Sequence, residues 1–537
     1  STLPVYDRHL AAEMSAVSAV VLALCFLGIY MPAPSLATSS GNNDFIRCLL
    51  PDVPSQLVLT PGSPSFKPVL VSSIRNARFV APATTRPPLC IVTPTNASHV
   101  QAAVRCGRAH GVRLRVRSGG HDTEGISSRS QRPEVFAIVD LANLHDVHVN
   151  PQEATAWVDS GATLGELYYA VAKAAPGLGF PAGVCPTVGV GGHLSGGGQG
   201  LMMRKYGLAA DNIVDATFVD ADGNLLPDKK AMGDDLFWAI RGGGGGSFGI
   251  VLSFKVRLAP VPPTVTFFSV TRSMDQGAVE AVTKWQTVAP ALPDDLTVRV
   301  NVQQRQANFQ SLYLGNCSAV VATLRDRLPE LGVTQADCRE MSWLQYAAYI
   351  YFGDAINSTP PEVLLLNRTL TLGRFYKNKS DYVNKALTKD EWEKIFTWPS
   401  GGAVEGQLVL EPHGGRMGSI ADADTPFPHR GGVLYNIQYV ESWNGNSSTP
   451  SWVNTLYDFM EPLVSKNPRA AYANYRDLGI GVNKQVHVGG VSSYQSGKVW
   501  GERYFGGKNF KRLAMIKGRV DAGDYFRNEQ SVPPLHL

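Results

Sequence analysis

The sequence carries little charge of either sign. Lys and Arg number 49 and Asp and Glu number 45 among 537 residues, so the net charge is only +4 and charged residues make up 18% of the chain. A protein that binds nucleic acid through its phosphates needs clustered positive charge in excess, which argues against such a partner. Hydrophobic residues, at 44%, exclude a mainly disordered chain. The composition therefore indicates a folded protein of roughly two to four domains.

Cysteine is also scarce, with seven residues in the whole chain. Cys25 lies in an apolar run near the N-terminus. The other six are too few to define a disulfide scaffold in a chain of this length. An oxidising compartment would still permit a bridge or two.

Long hydrophobic runs are missing as well. The run from Ala16 to about Met31 is shorter than the roughly 20 residues that a membrane-spanning helix needs. It follows Met14 and precedes small residues around Ala37, which is typical of a secretory signal and its cleavage site. We therefore predict that residues 1–37 are upstream residues plus a signal peptide, and that the mature protein is extracellular or in the cell wall. An uncleaved anchor is the alternative.

Potential glycosylation sites agree with secretion. An Asn-x-Ser/Thr sequence accepts a glycan where it lies in a surface loop of a secreted protein. We expect about half of the matching sites to be occupied, because chance matches occur. The six candidates are Asn96, Asn316, Asn357, Asn367, Asn378 and Asn446.

Residues 88–260 alternate between helix and strand patterns. Asn96 or Ser98 caps a helix that Gly111 ends, and the capping box from Thr163 to Glu166 opens another. Alternating apolar residues or short apolar runs predict strands at 112–117, 136–139, 155–158, 213–219 and 252–258. Three prolines between 260 and 263 then indicate a domain boundary.

Glycine is abundant and falls mainly in two clusters. The first is Ser118-Gly119-Gly120, which follows a strand and precedes His121, and the second spans 183–200 and holds Cys185. Glycines let backbone N–H groups approach a phosphate closely. Neither cluster has the Gly-Lys-Ser/Thr ending of a P-loop or the strand–turn–helix context of a Rossmann fingerprint. Two such clusters predict a phosphate-containing cofactor, with tight turns and a core cysteine as the alternative.

The two clusters resemble those of the plant berberine bridge enzyme-like family of flavin-linked oxidases, within the vanillyl-alcohol oxidase superfamily. The resemblance extends from about Phe45 to Leu535, and within the family it is strongest to the grass-pollen group 4 allergens. The further matching segments are Arg204–Asn212, Leu236–Gly243, Asn474–Asp477, Tyr504–Gly506 and Phe526–Gln530.

This resemblance implies an α+β fold in two parts. A PCMH-type FAD-binding domain would comprise residues 45–262 and a C-terminal berberine-bridge segment, 470–537. Residues 263–469 would form an inserted α+β substrate domain whose antiparallel sheet covers the flavin.

The resemblance also implies an FAD attached twice, through His121 to the 8α-methyl group and through Cys185 to C6. No metal site is predicted. A disulfide between Cys48 and Cys106 is the family's usual one, while a Cys317–Cys338 bridge remains open. The other predicted cofactor-binding residues are Arg117, Ser118, Gly119, Gly120, Asp122, Thr187, Val188, Gly189, Gly191, Gly192, His193 and Gly249.

Tyr475 is the first candidate for the catalytic base, with Tyr472 beside it and Gln438 to orient the substrate hydroxyl. Because a free tyrosine has a pKa of about 10, it acts as a base only where a cation or a hydrogen bond lowers that pKa. A structural tyrosine bonded to backbone is the alternative. Many relatives have Tyr where this chain has Gln199, and many that oxidise monolignols have Lys where it has Asn436.

The resemblance and these departures favour a monomeric oxidoreductase that converts the reducing end of a carbohydrate to a lactone. Val188 occupies the family's oxygen-gating position, so we expect O2 to accept the electrons and to give H2O2. The alternatives are an aromatic-alcohol (monolignol) oxidase, oxidative C–C or C–O bond formation, and a low-turnover flavoprotein allergen. Four aromatic residues could stack on sugar rings, although a stripe of core residues is the favoured interpretation of this segment. They are Trp343, Tyr346, Tyr349 and Tyr351.

Overall fold

The computed structural model describes residues 37–80, 87–369, 373–399, 405–444, 451–487 and 489–536. Residues 1–36 of the predicted signal region and the sequon at Asn446 lie outside these ranges. None of the described helices is both long and apolar enough to cross a membrane.

The chain up to residue 260 forms two main sheets. Their strands, with the separate pair β7 and β11, are β1 (Val58–Leu59), β2 (Ile91–Val92), β3 (Arg113–Arg117), β4 (Phe136–Asp140), β5 (Val147–Asn150), β6 (Thr155–Asp159), β7 (Leu178–Gly179), β8 (Ile213–Val219), β9 (Leu225–Leu226), β10 (Ile250–Arg257) and β11 (Ala259–Pro260). One sheet has the order β1-β2-β4-β3 and the other β5-β6-β10-β8-β9. All five predicted strands are present.

The described helices of this part are α1 (Ala37–Leu49), α2 (Phe66–Ser72), α3 (Ala97–Ala109), α4 (Leu164–Ala174), α5 (Val190–Ser195), α6 (Met203–Tyr206) and α7 (Lys229–Ile240). The predicted caps are confirmed. The Asn96 side chain accepts a hydrogen bond from the backbone of His99, and Thr163 and Glu166 form the capping box of α4.

The middle of the chain forms one antiparallel sheet of seven strands in the order β15-β12-β14-β13-β17-β18-β16. They are β12 (Val265–Ser273), β13 (Leu296–Gln303), β14 (Gln306–Tyr313), β15 (Cys338–Met341), β16 (Phe375–Val383), β17 (Glu405–Pro412) and β18 (Tyr435–Trp443). The helices of this region are α8 (Ala278–Val288), α9 (Cys317–Arg327), α10 (Trp343–Phe352), α11 (Pro361–Leu365), α12 (Lys389–Phe396), α13 (Gly415–Ser419) and α14 (Trp452–Met460).

One face of the seven-stranded sheet is apolar and covered by helices. Tyr435, Ile437 and Tyr439 of β18 share a core with Trp285 of α8 and Trp392 of α12. Because strand residues alternate between faces, the intervening side chains of β16, β17 and β18 point to the other face. That second face is polar.

The C-terminal helix α15 (Tyr494–Val520) returns to the first part of the molecule. Its Trp500 and Leu513 share a core with Leu236 of α7 and Phe254 of β10. Both ends of the chain therefore build the same body, as the resemblance implied. The exact limits at residues 262 and 470 remain predictions, although the sheets do change between Pro260 and Val265.

Two disulfides are present in the described chain. Cys48–Cys106 is the bridge that the resemblance implied, and Cys317–Cys338 joins α9 to β15. Cys90 is a buried thiol whose pKa burial raises to about 12, so it is inert. Cys185 is the other free cysteine and is only partly buried.

Candidate active site

A cavity of about 480 Å³ lies between the glycine clusters and the polar face of the seven-stranded sheet. One side, which we call the glycine wall, is formed by residues 118–120, 189–192 and 243–246. The opposite side, the sheet wall, is formed by Tyr376 and Asn378 of β16, Glu411 of β17 and Gln438 of β18. Residues 472–476 of the C-terminal segment also line it.

The glycine wall is built from two turns that interlock. A Cβ on Gly119 would come within 2.3 Å of the Gly189 nitrogen, and a Cβ on Gly189 within 2.0 Å of the Ser118 hydroxyl. Gly192 and Gly246 also line the cavity, but a Cβ there would meet no protein atom within 4 Å and would enter the cavity. Backbone open to a cavity in this way fits a ligand whose phosphates approach the main chain.

The two predicted attachment residues meet at one hydroxyl. Thr187 Oγ1 lies 2.8 Å from His121 Nε2 and 3.6 Å from Cys185 Sγ. Burial and the nearby Arg75 lower the pKa of His121 to about 3, so its ring is neutral. A neutral imidazole and an accessible thiol therefore face the cavity from the two glycine clusters.

His193 lines the cavity from the second cluster. Its Nε2 accepts a hydrogen bond from the backbone of Gly183 at 3.0 Å, which assigns the ring proton to Nδ1. Burial lowers its pKa to about 4. The ring therefore stays neutral at ordinary pH.

The remaining predicted cofactor residues divide into two groups. Ser118 and Asp122 line the cavity, held by hydrogen bonds to Ser160 (2.6 Å) and from Arg476 (2.9 Å). Others that line it are Gly119, Gly120, Val188, Gly189, Gly191, Gly192 and Gly249. Thr187 does not line it and acts through His121 and Cys185.

Arg117 lies away from the cavity, so it is not placed to contact the cofactor directly. Its guanidinium is fully buried, pairs with Asp140 at 2.5 Å and donates to the carbonyls of Val69 and Leu70. It does not line the cavity, although Arg115 on the same face of β3 does. Arg117 instead holds the end of β3 beneath the first glycine turn.

The two candidate tyrosines differ in their surroundings. The Tyr472 oxygen accepts hydrogen bonds from the backbone of Gly198 (2.9 Å) and Gln199 (3.1 Å) and from the Asn474 amide (3.0 Å). Burial nevertheless raises its pKa to about 12. The Tyr475 ring lies edge-on to it at 4.9 Å, and burial and the Glu411 carboxylate raise the pKa of Tyr475 far above its usual range. Both phenols therefore stay protonated at ordinary pH, and neither acts as a base by itself.

Glu411 is a site residue that the sequence reasoning missed. It is 8% exposed and lines the cavity, and its carboxylate forms no hydrogen bond with the described residues. Burial raises its pKa, and Arg299 on β13 opposes that shift. In the sequence, Glu411 stands near the end of a strand, shortly before Gly414-Gly415. That position alone did not identify it as a site residue.

Gln199 and Asn436, the two departures from the family pattern, lie in different places. Gln199 lines the cavity and donates to the Tyr382 hydroxyl at 3.1 Å, while its own carbonyl oxygen has no partner in the described chain. Asn436 is buried behind the cavity and donates to the Asp381 carbonyl at 3.1 Å. Near Tyr475, the positive charge comes from Arg299 instead.

The aromatic stripe of α10 belongs mainly to the core, as expected. Trp343 and Tyr346 are buried and stack at 5.9 Å, and Tyr349 packs on Phe267 at 5.0 Å. Tyr351 is more exposed, and burial together with the nearby Cys185 raises the pKa of its hydroxyl to about 12.

One predicted glycosylation site is wrong. Asn378 is 6% exposed in β16 and lines the cavity, so the folded chain cannot carry a glycan there. The exposed candidates are Asn96, Asn316, Asn357 and Asn367.

Comparison with known proteins gives matches over nearly the whole chain. Residues 88–227 match the family described as FAD binding domain, and residues 471–533 match the family described as Berberine and berberine like. Berberine bridge enzyme-like Cyn d 4 from Cynodon dactylon is 53% identical over 534 residues, which cover 98% of this chain and 99% of that protein.

Solved structures agree with this chain in fold. A Bermuda grass isoallergen of the pollen group 4 allergens has a TM-score of 0.88 at 55% identity, covering 91% of this chain and 100% of its own. Wild-type Phl p 4, described as a glucose dehydrogenase, has a TM-score of 0.88 at 51% identity, covering 92% of this chain and 100% of its own. These matches confirm the α+β PCMH-type FAD-binding fold.

Two Phl p 4 variants bear on the electron acceptor. Both carry valine in place of an isoleucine and are described as glucose oxidases. One of them also carries histidine in place of an asparagine five positions later. Each is 52% identical to this chain, with TM-scores of 0.88 and 0.89, and covers 92% of this chain and 100% of its own.

Proposed function

The chain belongs to the berberine bridge enzyme-like family of FAD-linked oxidoreductases, and from that premise we propose that it is a secreted sugar oxidase. It would oxidise the reducing-end hydroxyl of a carbohydrate to a lactone, with O2 as electron acceptor and a flavin attached through both His121 and Cys185. The observation that carries this proposal is the cavity between the backbone of the glycine wall and the polar side chains of the sheet wall.

Double attachment is supported by the contact that His121 and Cys185 share at Thr187. The open backbone at Gly192 and Gly246 fits the phosphates of FAD. When bound, FAD supplies the acceptor for the hydride of the substrate C–H bond. The protein then has to orient the substrate and receive the hydroxyl proton.

We assign proton transfer to Tyr475 acting together with Glu411. Both side chains line the cavity without a hydrogen bond between them, so the transfer needs the bound substrate or a water molecule to join them. The Tyr475 oxygen then receives the substrate hydroxyl proton as its own proton passes to the Glu411 carboxylate. Burial raises the pKa of Glu411 above its usual range, which makes its carboxylate a stronger base. Gln438 orients the hydroxyl from the neighbouring strand.

A carbohydrate suits the sheet wall better than a flat aromatic alcohol. Gln199 and Asn378 each line the cavity and have a carbonyl oxygen without a partner in the described chain, and Glu411 adds a carboxylate. Several hydroxyl donors on one ligand satisfy these acceptors. An aromatic alcohol has fewer hydroxyls, and a buried acceptor left unsatisfied costs about 1–3 kcal/mol.

Oxygen as acceptor is supported by Val188. In this chain Val188 precedes His193 by five positions, the spacing of the valine and histidine in the Phl p 4 variant described as a glucose oxidase. Val188 lines the cavity. Secretion is supported by the two disulfides and by the exposed sequons.

The first experiment adds sugars and phenolic alcohols in turn to the purified protein without oxygen and follows the visible flavin band. We expect a reducing sugar to bleach it and air to restore it with H2O2. Bleaching by aromatic alcohols alone would replace the sugar proposal with the aromatic-alcohol alternative. A band that no compound bleaches would favour the low-turnover alternative.

Two variants test the assignments separately. Val188→Ile should keep bleaching by sugar but slow reoxidation by air. Glu411→Gln should lose the rise of kcat/KM with pH that a titrating base produces, while Glu411→Asp should retain it. An unchanged pH profile in Glu411→Gln would exclude Glu411 as the proton acceptor.

A further inference from the structure

The segment that carries Cys185, residues 183–188, forms neither helix nor strand, and we call it the thiol loop. Its main chain is held by the start of α4. The N–H groups of the first two residues of α4 donate to the carbonyls of Val188 and Pro186, each at 2.9 Å. They are free to do so because the first N–H groups of a helix have no partner within the helix.

The beginning of the thiol loop is fixed by two side chains that bind Gly183. Tyr168, about one turn further along α4, donates its hydroxyl hydrogen to the Gly183 carbonyl at 2.5 Å. The N–H group of Gly183 donates to His193 Nε2 at 3.0 Å. A glycine backbone can otherwise rotate over a wide range. These two hydrogen bonds therefore restrict the main chain two residues before Cys185.

Tyr168 is itself held in place. It is 3% exposed, and its ring lies edge-on to Trp343 of α10 at 6.0 Å. Trp343 stacks in turn on Tyr346. Burial raises the pKa of Tyr168 far above its usual range, so the hydroxyl keeps its proton and remains a donor. The aromatic residues of α10 thus support the tyrosine that holds the thiol loop.

The position of the Cys185 sulfur depends on this main chain. Cys185 is only partly buried, and its side chain has one hydrogen-bond partner in the described chain, Thr187 at 3.6 Å. Bond formation needs the reacting atoms about 3–3.5 Å apart and aligned, and a displacement of about 1 Å lowers a rate about a hundredfold. A shift of the thiol loop should therefore slow any reaction of this sulfur.

We propose that Tyr168 is a positioning residue that places Cys185 for its bond to the flavin, through the Gly183 carbonyl. This inference rests on the double attachment proposed above. In that step the sulfur forms a bond to C6 of the flavin, and the thiol hydrogen and the C6 hydrogen leave as protons. The two electrons released pass by way of the flavin to O2, which takes up two protons and leaves as H2O2.

The test isolates the Cys185 link. In His121→Ala only Cys185 can hold the flavin, so we compare this variant with His121→Ala/Tyr168→Phe. Each protein is incubated with FAD in air, and two quantities are followed with time: the total bound flavin and the flavin that stays with acid-precipitated protein. We expect Tyr168→Phe to slow the formation of acid-stable flavin about tenfold and to change the total bound flavin by less than twofold. Equal rates would overturn the proposal.

A matched control separates positioning from the stability of α4. Tyr169→Phe, in the same His121→Ala background, removes a hydroxyl from the next residue of the helix, which is partly buried. We expect this variant to attach flavin at the rate of His121→Ala, and thermal unfolding checks that all three proteins are folded. An equal slowing by Tyr169→Phe would overturn the proposal, because the Gly183 hydrogen bond is intact there.

Two further variants separate the possible failures. Acid-released flavin from His121→Ala alone would refute the double attachment itself, independently of Tyr168. Cys185→Ala/Tyr168→Phe should attach flavin through His121 as fast as Cys185→Ala does. Slower attachment there would mean that Tyr168 acts on the whole cavity and not on the thiol loop, which would overturn the proposal.

Peptide mapping of Tyr168→Phe alone gives a readout that does not depend on the His121→Ala background. We expect flavin on the peptide that contains His121, together with a Cys185 thiol that still reacts with an alkylating agent. One flavin that joins both peptides as rapidly as in the unchanged protein would contradict the role of Tyr168.

Discussion

The glycine wall and the sheet wall border one cavity but are built in opposite ways. The glycine wall presents main chain, and its two turns approach so closely that a single Cβ at Gly119 or Gly189 would overlap backbone or side-chain atoms of the other turn. The sheet wall presents side chains from three strands that rest on a separate apolar core. We therefore expect cofactor binding to depend mainly on the backbone of the glycine wall and substrate choice on the replaceable side chains of the sheet wall.

The sharpest way to break this comparison is to add one methyl group to the glycine wall. Gly189→Ala places a Cβ 2.0 Å from the Ser118 hydroxyl and 2.1 Å from the Gly119 nitrogen. We expect overpacking of at least about 3 kcal/mol and almost no flavin-loaded protein. Thermal unfolding and the visible flavin absorbance measure both effects.

Gly192→Ala is the matched control. Its Cβ meets no protein atom within 4 Å, so folding should be unchanged while flavin binding weakens. If both variants unfolded alike, or if Gly189→Ala kept its flavin, the interlocked glycine wall would not be what sets cofactor binding.

A second prediction concerns Arg204, which links α6 in the first part of the chain to the middle part that carries the sheet wall. It is fully buried in α6 and donates to the carbonyls of five residues in other segments: Pro290, Leu292, Pro293, Leu296 and His413. Arg204→Lys cannot reach them all, and hydrogen bonds from a charged group contribute about 1.5–3 kcal/mol each. We expect a loss of about 3 kcal/mol in the free energy of unfolding, measured with urea. The exposed Arg325→Lys should change it by under about 0.5 kcal/mol.

Stability should fall in acid because of two histidines behind the sheet wall. Burial lowers the pKa of His413 and His429 to about 3, whereas the unfolded chain has a histidine pKa of about 6.5. Both are neutral when folded, so their stabilisation is complete above pH 6.5 and is lost as the pH falls towards 3. Each should cost about 2 kcal/mol between pH 6.5 and pH 5.

His413→Phe removes one of the two titrating rings, so the loss of stability in acid should shrink by the share of one histidine. The substitution breaks no hydrogen bond, since neither ring nitrogen of His413 has a partner in the described chain. The exposed His110→Gln should leave the loss unchanged. Urea unfolding at pH 7 and pH 5 measures both, and an equal acid loss in His413→Phe and the parent would contradict the assignment.

A smaller effect is expected at the sheet wall. Gln438→Leu removes a polar group from the cavity but keeps the apolar core of β18 intact. We expect kcat/KM for the sugar to fall about tenfold, which is about 1.4 kcal/mol, with no change in flavin content. A loss of flavin in this variant would mean that the two walls are not separable.

The last and smallest expected effect is the absence of a glycan at one of the predicted glycosylation sites. Glycopeptide mass spectrometry should find no glycan on Asn378, because its side chain lies in the cavity. Any occupancy should fall among the exposed candidates, with Asn316 as the reference site. A glycan on Asn378 would place that strand outside the sheet wall.

Much of the glycine wall could be predicted from the sequence. His121, Cys185 and their glycines follow one another in short motifs that can be read along the chain. The helix caps at Asn96 and Thr163 were readable for the same reason. The close contact between Gly119 and Gly189 could not be read in this way, because it joins two turns far apart in sequence. Arg117 was misplaced because alternation in β3 indicates a polar face but not which of its side chains reaches the cavity: Arg115 lines it, and Arg117 pairs with Asp140 instead.

The sheet wall was harder to predict. Gln438 was identified by resemblance, but Glu411 was missed, and Asn378 was taken for a surface site. These three lie on different strands, and their convergence depends on the pairing of β16, β17 and β18. A shift of one residue in that register would turn every one of them to the other face.

By itself, the sequence indicated the family, the two glycine-rich turns and the candidate attachment residues His121 and Cys185, because these are short motifs of consecutive residues. Only the tertiary structure decided that Glu411, Gln438 and Tyr475 line one cavity. These residues lie in separate segments of the chain, and strand register and packing bring them together.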